Sequence, residues 1–471
     1  MKKTKKILLI ILAIVVIGAG SLFAFRKATQ KTIVILLYDD FTMLEAIGAS
    51  QTFPSLYLKN YTLKYVAKEK GVIKSSHIQT LTADYSFDEV VEADILYIPG
   101  GEKIENILTD EATIQWVKDI DATTEYTMSV GAGTLLLGKA GLLKGKKAAT
   151  HWYHKKALEK FGATYANKNY VKDGKYYTGM GASASIDMVL SLINDIAGEA
   201  SAKAMQLFIE YDPTPPVQSG TFDKADTAVA IIAQNMVDKK YADTITQKKT
   251  IAMMLYDGFT MLDITGPYQV FKELGGLGYQ MKFVAKKKGI VPSDATQTFD
   301  ATYSLADVNQ ADILFLPGGT FTANAMEDAD IVNWVEKIDK TTDYTTSVCT
   351  GSMLLAKAGL LENRNATSHW YVGQFLKDYN ATYSHKRYTI DGKYITGAGV
   401  SSGIDLALLI VKEAVSEDYA KAIQLKIGYF PNPPFDAGSP EKSDPATVDR
   451  LKGMYSAADK KYKEAKEAVI E

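Results

Sequence analysis

The sequence contains a single cysteine, Cys349, and the residues around it are those expected of a nucleophile. A β-rich run, 344–348, precedes it, and a run of helical spacing, 351–358, follows it. A strand-to-helix turn of this kind exposes the side chain at a helix N-terminus, where unpaired N–H groups and the helix dipole favour the thiolate and lower the pKa of the thiol. The alternative interpretation is a small buried residue that closes a strand.

The sequence lacks the residues that other kinds of chemistry need. One cysteine allows no internal disulfide, and the five histidines make no recognisable ligand set with the acidic residues, so we predict no metal site. Neither half has a phosphate-cradling glycine loop of the usual spacing, and we predict no cofactor. The formal net charge of −2 gives no basic face for nucleic acid. A small-molecule substrate or ligand is therefore the expected partner.

Alternating strands and helices must position the cysteine. In the second half of the chain, short apolar runs that end in polar or glycine-containing turns predict buried strands, and the runs between them have helical spacing. This order is typical of an α/β domain with a mostly parallel sheet covered on both faces. Ligands bind such sheets beyond the carboxyl ends of the strands, so we expect the site at the loops 257–259, 317–319 and 349–351.

The whole pattern occurs twice, at a constant spacing of 218 residues. The runs LYDDFTML, ADILYIPGG and SVGAGTLLLGKAGLL of the first half recur as LYDGFTML, ADILFLPGG and SVCTGSMLLAKAGLL in the second. A period this long indicates a duplicated domain. We place an N-terminal copy at 31–247 and a C-terminal copy at 248–440. The polar tail 441–471 is predicted to be a solvated amphipathic helix.

Residues 1–30 are predicted to be a separate segment. A lysine-rich start precedes the uncharged stretch 7–25, whose length would span about 28 Å as a helix, roughly the hydrocarbon thickness of a bilayer. The lysines would stay in the cytoplasm and direct the rest of the chain outward. The segment is either a signal anchor, retained as a transmembrane helix, or a signal peptide. In both cases we expect the globular part to be extracytoplasmic, at the cell membrane or secreted if cleaved.

These motifs resemble those of the ThiJ/PfpI family, in the class I glutamine amidotransferase-like superfamily. The resemblance is carried by ADILFLPGG, SVCTGSMLLAKAGLL, SHW and LDITGP in the C-terminal copy, and within the family it extends to the isonitrile hydratase branch. It extends through Pro434 and covers the N-terminal copy with a degraded motif. The fold that it implies is two tandem flavodoxin-like three-layer sandwiches with mostly parallel sheets.

The resemblance also assigns roles to individual residues. Cys349 corresponds to the catalytic cysteine, Thr350 to the threonine beside it, and Asp263 to the acidic residue that lies against the sulfur. Because two adjacent negative charges repel, a carboxyl beside a thiolate must share a proton with it. A protonated Asp263 could then donate that proton to a substrate as a general acid.

The remaining assignments concern the walls of the pocket. The backbone N–H groups of Gly318 and Thr350 are expected to form a pair like an oxyanion hole, with Gly319 beside them. His369 corresponds to a histidine near the pocket in related proteins. Its alternative role is structural, packed beside Trp370.

The N-terminal copy differs at the decisive positions. Gly131 stands where the C-terminal copy has its cysteine, Ala132 replaces the threonine, and Glu45 replaces the aspartate. Since glycine has no side chain, no covalent catalysis is expected there. Two interpretations remain open: a scaffold that pairs with the C-terminal copy as an intrachain pseudo-dimer, or a pocket that binds a small ligand without turning it over.

Three functions are compatible with these residues. The first is a membrane-anchored, extracytoplasmic cysteine enzyme that adds water to a small electrophilic carbon, as an isonitrile hydratase or a related amidase-type enzyme does. The second is a non-catalytic binding protein or redox sensor built on the same fold, with Cys349 as an oxidisable group. The third, a transcription regulator, would need a DNA-binding module, and neither the linker nor the tail resembles one.

Overall fold

The computed structural model describes residues 30–76, 79–238, 248–295 and 297–467. Each copy contains one seven-stranded sheet. The strands of this sheet in the N-terminal copy are β1 Lys31–Leu36, β2 Tyr61–Ala67, β3 Tyr85–Ser86, β4 Ile95–Ile98, β5 Tyr126–Val130, β6 Tyr170–Asp173 and β7 Tyr176–Gly179. Those of the C-terminal copy are β8 Lys249–Met254, β9 Tyr279–Ala285, β10 Tyr303–Ser304, β11 Ile313–Leu316, β12 Tyr344–Ser347, β13 Tyr388–Asp391 and β14 Tyr394–Gly397.

The two sheets have the same topology. Their strand orders are β6-β7-β5-β4-β1-β2-β3 and β10-β9-β8-β11-β12-β14-β13, the second written from the opposite edge. All neighbours are parallel except the terminal hairpins β6/β7 and β13/β14. In the β13/β14 hairpin Asp391 pairs with Tyr394, and Gly392 lies in the two-residue turn between them.

Helices cover both faces of each sheet. Those of the N-terminal copy are α1 Met43–Thr52, α2 Ile104–Ile107, α3 Glu111–Asp121, α4 Thr134–Lys139, α5 Lys155–Lys160, α6 Ala184–Ala197, α7 Glu199–Phe208 and α8 Thr227–Val237. Those of the C-terminal copy are α9 Met261–Phe271, α10 Thr322–Glu327, α11 Ala329–Asp339, α12 Ser352–Lys357, α13 Ser402–Ala414, α14 Glu417–Lys426 and α15 Pro445–Glu467. Because helices shield both faces, the central strands β4 and β11 are buried along their whole length.

The two copies pack against each other, and equivalent groups make the contact in both directions. The segment after α7 crosses to the C-terminal copy, where the Thr214 amide donates to Asp405 Oδ2 at 2.9 Å. The equivalent segment after α14 crosses back, where the Asn432 amide donates to Asp187 Oδ2 at 3.0 Å. In addition, the side chain of Gln51 in α1 accepts a hydrogen bond from the Leu262 amide at the start of α9.

The C-terminal tail is helical over α15, but it is not the solvated helix that its composition predicts. Leu451, Tyr462 and Ala465 are buried. Val448 and Leu451 pack against Leu207 of the N-terminal copy, while Tyr462 stacks on Phe375 of the C-terminal copy at 5.6 Å between ring centroids. The charged residues of the tail occupy one face of the helix, and the other face is apolar enough to bridge the two copies.

The predicted localisation at a membrane requires a correction. In the described ranges, no helix is long and apolar enough to cross a bilayer. The longest helix in these ranges, α15, carries charged side chains throughout its length. Residues 7–25, on which the prediction of a transmembrane helix depended, lie outside the described residues. The membrane and extracytoplasmic assignments are therefore withdrawn.

Candidate active site

Cys349 lies at the turn between β12 and α12, as its sequence context predicts. Its φ of 57° is in the left-handed region, which a non-glycine residue rarely adopts, and its amide donates to the Ala398 carbonyl at 2.7 Å. The side chain at this turn is only 4% exposed. The strained turn matches a nucleophile elbow, but the thiol is covered, whereas the sequence predicted an exposed one.

Asp263 reaches the cysteine from the first turn of α9. Its carboxyl is fully buried, and Oδ2 accepts a hydrogen bond from the Gly318 amide at 2.8 Å. Oδ1 has no nitrogen or oxygen partner in the described part of the chain, and the carboxyl interacts with the thiol of Cys349. Burial raises the pKa of Asp263 well above its usual range, although the Gly318 hydrogen bond opposes this shift. The acid and the nucleophile predicted from the sequence are therefore brought together.

The Pro317-Gly318-Gly319 turn after β11 fits tightly against the elbow. A Cβ on Gly318 would lie 2.7 Å from the Cβ of Cys349, so only glycine allows this approach. The Gly319 amide donates to Thr350 Oγ1 at 2.9 Å, and that hydroxyl also contacts Thr322 Oγ1 at 2.6 Å. Thr350 thus ties the turn to the elbow. The Gly318 amide is engaged by Asp263, so the expected oxyanion pair is not free in this structure.

His369 lies in the pocket wall beside Trp370. It is 6% exposed, and its Nδ1 is 3.3 Å from the Tyr371 amide, which donates to it. Burial lowers the pKa of His369 to about 4, so the ring is neutral near pH 7. Its Nε2 is 3.9 Å from the carboxylate of Glu210, a residue of the N-terminal copy.

Helix α15 covers this site. The ring of Tyr455 lies 5.1 Å from that of His369, and the hydroxyl of Tyr462 hydrogen-bonds with Thr350. The hydroxyl of Tyr371 donates to Asp459 at 2.7 Å. Because the tail closes over the elbow, burial raises the pKa of the Cys349 thiol, and the charges of Asp263 and Glu210 raise it further. The effect of the helix N-terminus, which the sequence predicted to lower this pKa, is outweighed.

The corresponding site in the N-terminal copy is filled by its own acid. Glu45 is one methylene longer than aspartate, and its Oε2 accepts a hydrogen bond from the Gly100 amide at 2.7 Å. A Cβ on Gly131 would lie 2.8 Å from Glu45 Oε1, so the carboxyl occupies the space that a thiol would need. Burial raises the pKa of Glu45 to about 7. Ala132, next to Gly131, has no hydroxyl to tie this elbow to its turn.

We expect Gly131→Cys to destabilise the N-terminal copy. The φ of Gly131, 56°, matches that of Cys349, so the backbone suits a cysteine, but the new side chain would collide with Glu45. Overpacking of this kind costs about 1–3 kcal/mol in the free energy of unfolding, which urea titration would measure. Adding Glu45→Asp should restore most of the loss. Equal stability of Gly131→Cys and the parent protein would contradict the filled site.

Three residues of the site were missed by the sequence reasoning: Glu210, Tyr455 and Tyr462. The tyrosines stand seven residues apart in the tail, a spacing that places them on one helical face. Glu210 replaces a glycine, Gly428, within an otherwise similar repeat. This difference between the copies is visible in the sequence, but its consequence depends on which residues of the other copy the crossing segment contacts.

Comparison with known proteins places these features in a family context. The DJ-1/PfpI family profile matches residues 31–195 and 249–413, which confirms the duplication. An isonitrile hydratase of Pseudomonas putida is 36% identical over 202 residues, covering 43% of this chain and 88% of that protein. Protein DJ-1 homolog B of Arabidopsis thaliana is 23% identical over 380 residues, covering 77% of this chain and 80% of that protein. A solved THiJ/PfpI family protein from Pseudomonas syringae is 34% identical, with a TM-score of 0.45, and covers 48% of this chain and 94% of its own.

Proposed function

We propose that this chain, which belongs to the DJ-1/PfpI family and carries its domain twice, is a cysteine-dependent enzyme that adds water to a small electrophilic carbon. An isonitrile is the substrate class that we favour, since an isonitrile hydratase is among its relatives. The observation that carries the proposal is the pairing of Cys349, held at a strained turn, with the buried carboxyl of Asp263. A nucleophile next to a carboxyl that can take up and return a proton is the arrangement that covalent hydration needs.

The proposed reaction has two stages. The sulfur of Cys349 forms a bond to the isonitrile carbon, and the proton of the thiol ends on that carbon, which gives a thioimidate. Water then adds to the same carbon, the carbon–sulfur bond breaks, and the sulfur regains a proton. The net change is addition of one water molecule, and the product is an N-substituted formamide. Asp263 is proposed to hold and return the moving proton.

The test is to incubate the full-length protein with a small alkyl isonitrile and follow the formamide by NMR or mass spectrometry. We expect turnover that depends on enzyme concentration and that stops after the thiol is alkylated. A protein whose thiol reacts with iodoacetamide but which produces no formamide from a panel of isonitriles would overturn the choice of substrate. Turnover that survives complete alkylation would overturn the role of the cysteine.

A redox-sensing role is supported less well. A sensor thiol is accessible and has a low pKa, because the thiolate is the form that oxidants attack. Cys349 is 4% exposed, and burial raises the pKa of its thiol. Substrate access instead requires movement of the tail helix α15, and an enzyme can couple such a movement to binding.

We propose that the chain divides into domains at 31–247 and 248–440. The N-terminal domain is proposed to be a scaffold. Support comes from Glu45, which fills the space beside Gly131, and from the crossing segments that equivalent residues anchor in both directions. We propose that this contact is an internal version of a two-fold dimer. A duplicated chain can then change one copy without changing the other.

A further inference from the structure

The N-terminal copy contributes a carboxyl group to the pocket of the C-terminal copy. Glu210 follows α7 on the segment that crosses over, and it is 6% exposed. Its Oε2 accepts a hydrogen bond from the Trp370 amide at 3.2 Å and lies 3.9 Å from His369 Nε2. Its charge also acts on Cys349 and Asp263. This carboxyl is therefore part of the pocket around the nucleophile.

The C-terminal copy is shaped to receive this side chain. The backbone of Glu210 is left-handed, with a φ of 48°, and its carbonyl accepts hydrogen bonds from Arg387 Nη1 at 2.7 Å and Ser401 Oγ at 2.8 Å. The carboxyl lies directly over Gly399, where any Cβ would collide with Oε2. A non-glycine residue at positive φ is costly unless its surroundings stabilise it. Here hydrogen bonds from Arg387, Ser401 and Trp370 of the other copy hold it in place.

The equivalent position in the other direction shows that the carboxyl is not required for the contact itself. Gly428, at a φ of 61°, occupies the place of Glu210 on the returning segment. It packs against Gly181, the counterpart of Gly399, in the pocket that has no nucleophile. The returning segment therefore makes the same crossing with a glycine, at a site that has no thiol. At this position a carboxyl occurs only on the segment that enters the site of Cys349.

We propose that Glu210 is a positioning residue of the Cys349 site: its carboxyl fixes the His369–Trp370 wall and adds negative charge that selects uncharged substrates over anionic ones. The pocket of the C-terminal copy is thus incomplete without the N-terminal copy. The substrate preference rests on the proposed function, whereas the placement and the charge do not. Anionic substrates are disfavoured because their charge is repelled strongly by the buried carboxylate of Glu210.

The other charged and titratable groups around Glu210 come from several elements. Arg387 opposes its charge, and burial raises the pKa of Glu210 to about 7 in spite of Arg387, so the carboxyl is mostly ionised at about pH 8. The groups that face Glu210 or interact with it electrostatically are Cys349, Asp263, His369, Tyr383, Arg387, Glu441 and Tyr455.

The test compares alkylation of Cys349 by neutral iodoacetamide and by anionic iodoacetate in the full-length protein at about pH 8. Both reagents must pass the same tail helix, so the ratio of their rates reports charge rather than access. Glu210→Gln keeps the size of the side chain and removes its charge. We expect the preference for iodoacetamide to fall by about 3- to 10-fold in this variant.

Gly399→Ala provides a second, independent variant, because its methyl group would displace the carboxyl while leaving Glu210 in the chain. It should change the ratio in the same direction. The matched control is Glu45→Gln, which neutralises the buried acid of the N-terminal copy and should leave the ratio unchanged. An unchanged ratio in both Glu210→Gln and Gly399→Ala would overturn the proposal. Since alkylation needs no turnover, this result would stand apart from any failure to hydrate isonitriles.

Discussion

Replacing Cys349 by serine should reduce hydration of an isonitrile by about 10³-fold or more, because in the proposed reaction the sulfur makes the first bond to the substrate carbon. A hydroxyl is a far weaker nucleophile than a thiol at neutral pH, and the described residues place no histidine base within hydrogen-bond distance of this position. The serine would lie buried near Asp263 and near Tyr462 of the tail helix, neither of which is a histidine. The measurement is the rate of formamide formation at saturating isonitrile.

The variant should keep its fold, since serine is close to cysteine in size. Its urea midpoint is therefore measured beside its activity, and only a loss of activity at unchanged stability counts as support. The chain has one cysteine, so the same variant also shows that all alkylation of the parent protein occurs at Cys349. A serine variant with normal turnover would move the chemistry away from the elbow.

Replacing Asp263 by asparagine is expected to lower kcat by about 10²- to 10⁴-fold, the usual contribution of a general acid. Asparagine can still accept the hydrogen bond of the Gly318 amide, so the geometry of the turn is preserved while the movable proton is lost. The same variant should make the thiol easier to ionise. Burial raises the pKa of Cys349, and the charge of Asp263 adds to that increase, so removing the charge shifts the alkylation rate profile to lower pH.

The urea midpoint is measured beside these two readouts, because a misfolded variant would also lose activity and would expose the thiol, whose pKa would then fall to the ordinary value of about 8.5. Only a loss of kcat together with a shifted alkylation profile at an unchanged midpoint supports a role in proton transfer. The matched control is Glu45→Gln, at the equivalent position of the N-terminal copy. It should change neither kcat nor the alkylation profile. Loss of activity in this control would contradict the separation of the two pockets.

The tail helix adds a conformational step to the proposed reaction. Tyr455 and Tyr462 close the pocket, and Val448 and Leu451 attach the same helix to the N-terminal copy. In the proposed reaction, the substrate therefore reaches Cys349 after this helix moves against both copies. A closed pocket excludes water until the substrate is bound, which limits side reactions of a covalent intermediate.

The duplication shows how a chain can retain a fold while it changes a site. Both copies keep the sheet, the Pro-Gly-Gly turn and the left-handed elbow residue, at Gly131 and at Cys349. Only the C-terminal copy keeps a thiol, and only its pocket receives a carboxyl from the other copy. The two differences concern the same pair of sites: the N-terminal copy lacks the thiol, and it supplies Glu210 to the site that has one.

Local sequence patterns determined most of the fold and the centre of the site. Short apolar runs between helical ones predicted the order of strands and helices, because a strand buried on both faces must be apolar at every position. The constant spacing of 218 residues predicted two copies, and the family match confirms this. The carboxyl-end rule predicted that the loops 257–259, 317–319 and 349–351 meet at one edge, since parallel strands end together, and the family resemblance added Asp263.

Only the tertiary structure decided what surrounds that centre. The spacing of Tyr455 and Tyr462 indicates a helical face but not what it covers, and the composition of the tail predicted a solvated amphipathic helix. Glu210 reaches His369 and Trp370 from a segment that crosses between the copies, and no local pattern reports where such a crossing ends. Both contacts join residues far apart in the chain, and burial then reversed the expected direction of the thiol pKa. Sequence periodicity records which face of an element is apolar, whereas the partner of that face is set by the packing of the whole chain.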